Sequence, residues 1–290
     1  MPVLLMGDSP REPLRSGLSS ARTRGDEVNE REVRREICEI GRRLYEKGLV
    51  AGADGNISVR LPRERLLTTP SGCSKGFLKP EDLVVTDMAG KPLGGGKPSS
   101  EIMLHLAAYR KRADVQAVVH AHPPTAVAFT VAGVSLEQCV MPEVLLYIGT
   151  LPTTRYATPS SPEGPEVVEE LIGKHDALLL DRHGAVTVGK DVCQAWERME
   201  KLEHFAQVVM TAKTLGAVRT LSEDELSRLV QTAARLGYKV DASVCRGAGS
   251  CGRQCACGAG AAVVDAEAIA AAVAEELAKT GAAGGTGRQV

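Results

Sequence analysis

The chain has few aromatic residues and no excess of either charge. Aromatic residues make up 3% of its 290 residues, the formal net charge is −1 and the sequence pI is near 6.6. Nucleic acids and anionic membranes attract strongly basic surfaces. The sequence therefore predicts neither of these partners.

Long apolar runs are also absent. No stretch approaches the roughly 20 apolar residues that a transmembrane helix needs. Residues 1–6 are apolar, but the run is too short for a signal peptide and lacks a basic start. We therefore expect a cytoplasmic protein with no membrane partner.

Composition divides the chain into four parts. Residues 1–26 are rich in Ser, Arg, Gly and Pro and indicate a flexible tail. With 43% hydrophobic residues overall, 27–240 can form one folded domain. A Cys/Gly-rich linker follows over 241–262, and an amphipathic helix with a short tail over 263–290.

Hydrophobic spacing within 27–240 predicts helices mixed with short strands. Apolar residues recur at helical spacing after residue 30, and a long helix is expected from about Val192 to Leu215. Short β-rich runs separated by turns lie at 56–60, 65–68 and 83–86. The pattern is typical of an α/β (α+β) domain with a central, mainly antiparallel sheet and helices on its faces.

His120 and His122 are the clearest chemical signal in the sequence. Residues two apart on a strand point to the same face, and 115–122 is β-rich. Glu101 upstream and His183 downstream offer a carboxylate and a third imidazole. Three His ligands with an open fourth position describe a catalytic zinc site. Two histidines on a strand without any metal remain the alternative.

Three small turns near these residues could bind an anion. Asn56 ends a Gly-bracketed turn, Ser71 and Gly72 lie in a second, and Ser99 and Ser100 are expected to open a helix. Each of these turns, taken alone, could also be an ordinary turn or helix cap. Together they favour a phosphorylated substrate held without a large basic patch.

The other polar residues near these motifs have less specific interpretations. Glu101 is expected one residue inside the helix, as either a first-turn glutamate or a general base. Lys75 is interpreted as exposed. The remaining histidines, His105, His175 and His204, are interpreted as surface or packing residues.

Taken together, these motifs resemble the class II aldolase/adducin family. The resemblance covers about residues 30–216 and depends on five short segments: 55–58, 69–72, 99–101, 120–123 and 183–184. It implies an α/β/α sandwich built around an antiparallel sheet. It also implies a homotetramer with active sites at subunit interfaces, and one divalent metal ion per subunit, usually Zn2+.

The resemblance also implies roles for individual residues. His120, His122 and His183 would be the metal ligands, with Glu101 as the base and displaceable fourth ligand. The phosphate would be held by a set of five residues: Asn56, Ser71, Gly72, Ser99 and Ser100. Tyr147 would be the catalytic acid supplied by the neighbouring subunit, although its spacing from Pro142 departs by one residue from the family pattern.

The resemblance further implies an aldolase that cleaves a ketose 1-phosphate such as L-fuculose 1-phosphate into dihydroxyacetone phosphate and a small aldehyde. Family epimerases tend to carry Asp where this chain has Glu101. Epimerase, dehydratase and decarboxylase activities remain alternatives within the family. A non-catalytic, adducin-like scaffold is a further alternative.

The C-terminal part departs from the family. Four cysteines cluster there and could bind a second metal or an iron–sulfur cluster, or form a redox-reactive linker: Cys245, Cys251, Cys255 and Cys257. The helix expected over 264–279 resembles peptides that direct enzymes into bacterial microcompartments. It could dock onto a shell or other partner, or fold back onto its own domain.

Overall fold

Residues 29–237, the part of the chain that the computed structural model describes, form seven α-helices and six strands. The strands are β1 (Asn56–Leu61), β2 (Arg65–Thr68), β3 (Val84–Asp87), β4 (Ala117–Ala121), β5 (Ala177–Leu180) and β6 (Gly184–Gly189). The helices are α1 (Glu30–Glu46), α2 (Ile102–Lys111), α3 (Pro124–Val131), α4 (Pro142–Tyr147), α5 (Glu163–Leu171), α6 (Val192–Leu215) and α7 (Glu223–Arg235).

The six strands form one sheet in the order β3-β2-β1-β4-β6-β5, and each neighbouring pair is antiparallel. This order places β4 at the centre, between β1 and β6. His120 pairs with Asn56 of β1 and with Val186 of β6. His120, the first candidate metal ligand, therefore lies on a central strand that is hydrogen-bonded to a neighbouring strand on each side.

Helices cover both faces of the sheet. Strand alternation divides β4 between two cores: Val119 packs with α1 and α6, whereas Val118 packs with α2 and α5. Trp196 and Phe205 of α6 lie in the first core. The α/β/α sandwich around an antiparallel sheet is confirmed.

Most element positions agree with the sequence expectations within one or two residues, and α6 has the expected bounds. The second helix differs. It was expected to begin at Ser99 or Ser100, but α2 begins at Ile102 with Glu101 as its N-cap residue. The reason is tertiary: the Ser99 amide donates to the carbonyl oxygen of Thr69 at 3.2 Å, which holds this segment beside β2.

Several expectations fall on residues that the structure does not describe. They are the N-terminal tail (1–26), the cysteines of 241–262 and the helix of 264–279 with its proposed docking role. These stay predictions. Within the described part of the chain, no helix combines the length and apolarity needed to cross a membrane.

Candidate metal centre

His120 and His122 are placed by the end of the central strand. The His120 side chain is fully buried, and its Nδ1 donates to the carbonyl oxygen of Ala185 on β6 at 2.9 Å. His122 follows the last residue of β4, and its amide donates to the carbonyl oxygen of Leu49 at 2.8 Å. Hydrogen bonds from neighbouring segments thus fix both residues.

His183 reaches the same place from the turn between β5 and β6. Arg182 adopts a positive φ of 54°, and its amide donates to Thr130 Oγ1 at 2.9 Å. Gly184 follows His183, and a Cβ at this position would lie 2.5 Å from Ala121 O and 2.7 Å from His122 Cδ2. Only glycine allows this turn to approach β4 so closely.

The three imidazoles form a nearly symmetrical triangle. Their ring centroids are 4.9 to 5.0 Å apart, and one nitrogen from each ring lies within 4.8 Å of the other two. The Nε2 atoms of His120 and His122 are 3.2 Å apart. Because His120 Nδ1 donates to a carbonyl, Nε2 is the nitrogen that would bind a cation at the centre of the triangle.

Asp54 is the group that faces the outer nitrogen of His122. Its Oδ2 lies 3.3 Å from His122 Nδ1, and its side chain is half-exposed. A carboxylate in this position favours the proton on Nδ1 and leaves Nε2 as the ligand atom. The donor set of three imidazole nitrogens therefore fits a divalent cation such as zinc.

Burial keeps the His122 ring neutral. The pKa of His122 is lowered from 6.5 to about 4, mainly by burial and to a smaller extent by the neighbouring His120 and His183. Neutral imidazole is the form that binds a metal. At neutral pH, His122 is thus in its ligand form.

Glu101 lies against the open side of the triangle. Its Oε2 is 3.2 Å from His120 Nε2, and its Oε1 is 3.2 Å from His183 Nε2. Burial acts to raise the pKa of this carboxyl, but the hydrogen bonds from His120 and His183 prevail and hold the pKa well below its usual range. Glu101 is therefore a carboxylate at rest.

A cavity of about 320 Å³ opens beside the triangle. Its wall includes Glu101, His122 and His183. All five residues expected to hold a phosphate also line it: Asn56, Ser71, Gly72, Ser99 and Ser100. The structure thus brings the predicted anion-binding turns and the three imidazoles to one cavity.

Lys75 was expected to be exposed, and the structure corrects this. Its side chain is 1% exposed, and Nζ donates to the carbonyl oxygens of Ala53 and Cys73 at 2.7 Å each. These two carbonyls belong to the two turns that form the cavity wall. Lys75 joins the turns and brings a buried positive charge to the cavity.

Tyr147 lies elsewhere in the subunit. It lines a different cavity of about 650 Å³, and none of the described residues around that cavity also line the first one. Its hydroxyl donates to Glu197 on α6. Burial raises the pKa of Tyr147, and Glu197 raises it further. A catalytic role for Tyr147 would thus require a second copy of the chain, and it stays a prediction.

Residues 35–210 match the family model "Class II Aldolase and Adducin N-terminal domain". The chain belongs to this family.

Similar proteins in the family carry more than one activity in their names. A 3-oxo-tetronate 4-phosphate decarboxylase of Haemophilus influenzae is 35% identical over 197 residues, covering 67% of this chain and 93% of the relative. An L-fuculose phosphate aldolase of Methanococcus maripaludis is 36% identical over 173 residues, covering 60% and 93%. A solved structure of a putative aldolase/epimerase/decarboxylase from Klebsiella pneumoniae has a TM-score of 0.65 at 31% identity, covering 69% of this chain and 98% of its own.

Sequence reasoning missed three residues at this site: Asp54, Lys75 and His105. His105 was expected to be a surface or packing residue; it is fully buried, and it is also hydrogen-bonded to Asn56, which the sequence did not indicate. One signal could have revealed it. Glu101 and His105 are four residues apart, so on a helix they share one face.

Proposed function

We propose that this protein is a metal-dependent decarboxylase of a phosphorylated 3-oxo sugar acid, such as 3-oxo-tetronate 4-phosphate. The observation that carries the proposal is the joint placement of three imidazoles, the Glu101 carboxylate and five anion-binding residues around one cavity. The Haemophilus influenzae decarboxylase, matched over 93% of its length, supports this choice of substrate class.

Decarboxylation and aldol cleavage are closely related at such a site. In a 3-oxo acid, the electrons of the C1–C2 bond move into the neighbouring C3 carbonyl as carbon dioxide leaves, which gives an enediolate. Cleavage of a ketose 1-phosphate gives the same three-carbon enediolate and an aldehyde. Protonation then yields dihydroxyacetone phosphate in both reactions, so the same cavity could serve either one.

The residues present would hold a divalent cation through His120, His122 and His183, and we propose zinc because all three donors are imidazoles. Once bound, such a cation makes the substrate carbonyl a better electron acceptor. Asn56, Ser71 and the serines before α2 would hold the phosphate and orient the carbon chain.

Glu101 can carry the proton that completes the reaction. At rest its low pKa results from contacts with His120 and His183. A substrate that separates the carboxylate from these rings would remove those contacts, leaving burial as the main influence, and burial raises the pKa. Glu101 could then take a proton and deliver it to C2 of the enediolate.

A second cavity, separate from the one lined by Tyr147, adjoins the phosphate-binding cavity and supports decarboxylation. It has a volume of about 420 Å³ and shares Ser100, Glu101 and His183 with the phosphate-binding cavity. Among its described lining residues the acidic groups are Glu101 and Asp181, and lysine and arginine are absent. Such surroundings oppose a bound carboxylate and favour its loss as neutral carbon dioxide.

An aldolase acting on L-fuculose 1-phosphate is the second candidate. It is supported by the Methanococcus maripaludis relative, which is 36% identical over 93% of its length. The same second cavity could accept a small aldehyde. A homotetramer in which Tyr147 serves the site of a neighbouring copy belongs to this proposal and would supply the acid.

The two candidates differ in their co-products. The zinc-loaded full chain would be given 3-oxo-tetronate 4-phosphate or L-fuculose 1-phosphate, with dihydroxyacetone phosphate measured in both reactions. Carbon dioxide and aldehyde would be measured separately. We expect release of carbon dioxide from the sugar acid to be the faster reaction. Faster aldehyde release would instead support the aldolase.

Two variants test the site itself. His122→Ala removes one of the three imidazoles and should abolish product formation from either substrate. His175→Ala removes a histidine that contacts Thr150 and is absent from the walls of both cavities, and it should retain activity. Full activity in His122→Ala would contradict the proposal.

A further inference from the structure

His105 is a buried histidine for which the proposed reaction has no use. It lies on α2, one helical turn after Glu101, and is fully buried. Its Nδ1 is 2.6 Å from Ser58 Oγ, and its Nε2 is 2.5 Å from Asn56 Oδ1. On the far side of Asn56, Nδ2 donates to Glu101 Oε2 at 3.1 Å. A continuous line of hydrogen bonds thus runs from His105 to the edge of the cavity.

The direction of each hydrogen bond in this line follows from the chemistry of the groups. A carboxylate only accepts, so the amide nitrogen of Asn56 must face Glu101 and its oxygen must face His105. That oxygen also only accepts, so His105 Nε2 must carry the proton. Burial lowers the pKa of His105 to about 3, so the ring is neutral and Nδ1 accepts from the Ser58 hydroxyl.

At the far end of this line of hydrogen bonds, Ser58 contacts Tyr109. The Tyr109 hydroxyl donates to the carbonyl oxygen of Ser58 at 2.9 Å and lies 2.9 Å from Ser58 Oγ. Tyr109 is buried, and so is Ser58 on β1. With the Ser58 proton committed to His105, the ring has only one tautomer that satisfies all its neighbours.

We propose that His105 is a positioning residue that fixes the amide orientation of Asn56. Asn56 Nδ2 carries two hydrogens: one goes to Glu101, and the other is available to an oxygen of a phosphorylated substrate in the cavity. A flipped amide would instead turn its oxygen toward the Glu101 carboxylate and toward the phosphate. The substrate class in this inference rests on the proposed function.

Three variants separate positioning from simple packing. His105→Gln places an amide nitrogen near the position of Nε2 and keeps a donor for Asn56. His105→Leu fills the space but has no donor. His105→Asn reaches Ser58 but is too short to reach Asn56, and it serves as the second donor-free variant if His105→Leu does not fold.

Binding of inorganic phosphate to the full, metal-loaded chain would be measured by calorimetry, because this readout needs no turnover. Loss of a hydrogen bond to a charged group corresponds to about 10- to 100-fold in affinity. We expect a loss of at least about 10-fold in His105→Leu and His105→Asn. We expect His105→Gln to retain affinity within about threefold. Equal losses in all three variants, or no loss in the donor-free ones, would overturn the proposal.

A spectroscopic test needs no activity either. In ¹⁵N-labelled wild-type protein, the His105 ring, assigned by its absence in His105→Gln, should show the neutral form protonated on Nε2 between pH 5 and 8. A ring protonated on Nδ1, or on both nitrogens, would refute the positioning role. If the phosphate and tautomer results hold but neither sugar phosphate is converted, the proposed reaction fails and the role of His105 stands.

Discussion

The two imidazoles at the end of β4 are oriented by different kinds of groups. His120 Nδ1 donates to a backbone carbonyl within the sheet, which no side-chain substitution removes. His122 Nδ1 faces the half-exposed carboxylate of Asp54. Of the two candidate ligands at the end of β4, His122 is therefore the one whose orientation can be changed by substituting a neighbouring residue, Asp54, while all three imidazoles are kept.

Asp54→Ala should lower zinc affinity while leaving the three imidazoles in place. Partners that orient metal-binding histidines typically account for about 10- to 100-fold in metal affinity. Because Asp54 is half-exposed, we expect a loss of about 10-fold, measured by competition with a chromogenic chelator. Asp224→Ala, an exposed change on α7, is the control. Unchanged affinity in Asp54→Ala would mean that Asp54 does not orient His122.

Lys75 should make stability depend on pH in a defined direction. Burial lowers the pKa of its ammonium group below the ordinary 10.5. The unfolded chain therefore binds more protons than the folded chain as pH approaches 10.5 from below, and stability attributable to Lys75 rises with pH in that window.

Comparison with Lys75→Met isolates this effect. The free energy of unfolding of the wild type minus that of the variant, from urea denaturation, should increase as the pH is raised toward 10.5. Lys174→Met, at an exposed lysine, should show no such trend. A difference that falls with pH would show that the folded protein raises the pKa of Lys75.

At the level of secondary structure elements, α3 is capped by a residue from another helix. Its N-cap residue, Pro123, offers no side-chain hydrogen bond. Instead, the buried Glu203 of α6 accepts from the amides of Thr125 at 3.1 Å and Ala126 at 3.0 Å. Because α3 begins at Pro124, two residues after His122, this contact also fixes the backbone that leaves the candidate metal centre.

Glu203→Ala should destabilise the protein by about 2 kcal/mol, because two amides at a helix start lose a charged acceptor. Thermal or urea unfolding would measure the change. Glu200→Ala on the same helix removes a surface ion pair with Lys47 and should change stability by less than about 1 kcal/mol. Equal effects in both variants would contradict the capping role.

The local sequence pattern predicts the bounds of some helices but not of others. The bounds of α6 could be read from the sequence because its helical stretch lies between a capping Asp191, whose side chain accepts from Gln194, and Gly216. The start of α2 could not, because the Ser99 amide is bonded to Thr69, thirty positions away in the chain.

In the candidate site, too, some features could be predicted from the local sequence and others could not. His120 and His122 were predicted to share a face because strand geometry alone places them together. The polar partners of Lys75 and His105 could not be predicted, since each comes from a distant segment: the Ala53 carbonyl for Lys75 and the Asn56 amide for His105. Hydrophobic periodicity carries no information about such partners.

At the level of the whole molecule, one carboxylate connects several elements. Asp176, just before β5, pairs with Arg112 at the end of α2 at 3.0 Å and with the largely buried Arg198 of α6. Arg198 also donates to the carbonyl oxygen of Val188 on β6 at 2.6 Å. Helices on opposite faces of the sheet are thus joined around its β5–β6 edge.

Asp176→Ala should reduce the free energy of unfolding substantially, because it leaves the Arg198 charge without its carboxylate. Breaking a buried pair costs about 3–5 kcal/mol, and since Asp176 is partly exposed we expect roughly 2–3 kcal/mol. Asp114→Ala removes a more exposed partner of the same Arg112 and should cost less than about 1 kcal/mol. Chemical denaturation would rank the two, and the reverse order would refute this account.

Position 184 has space for nothing larger than a hydrogen atom. A methyl group there would meet the Ala121 carbonyl and the rings of both His120 and His122. Gly184→Ala would therefore keep all three histidines but push the His120 and His122 rings out of their positions. The proposed cation site thus depends on a residue that has no side chain.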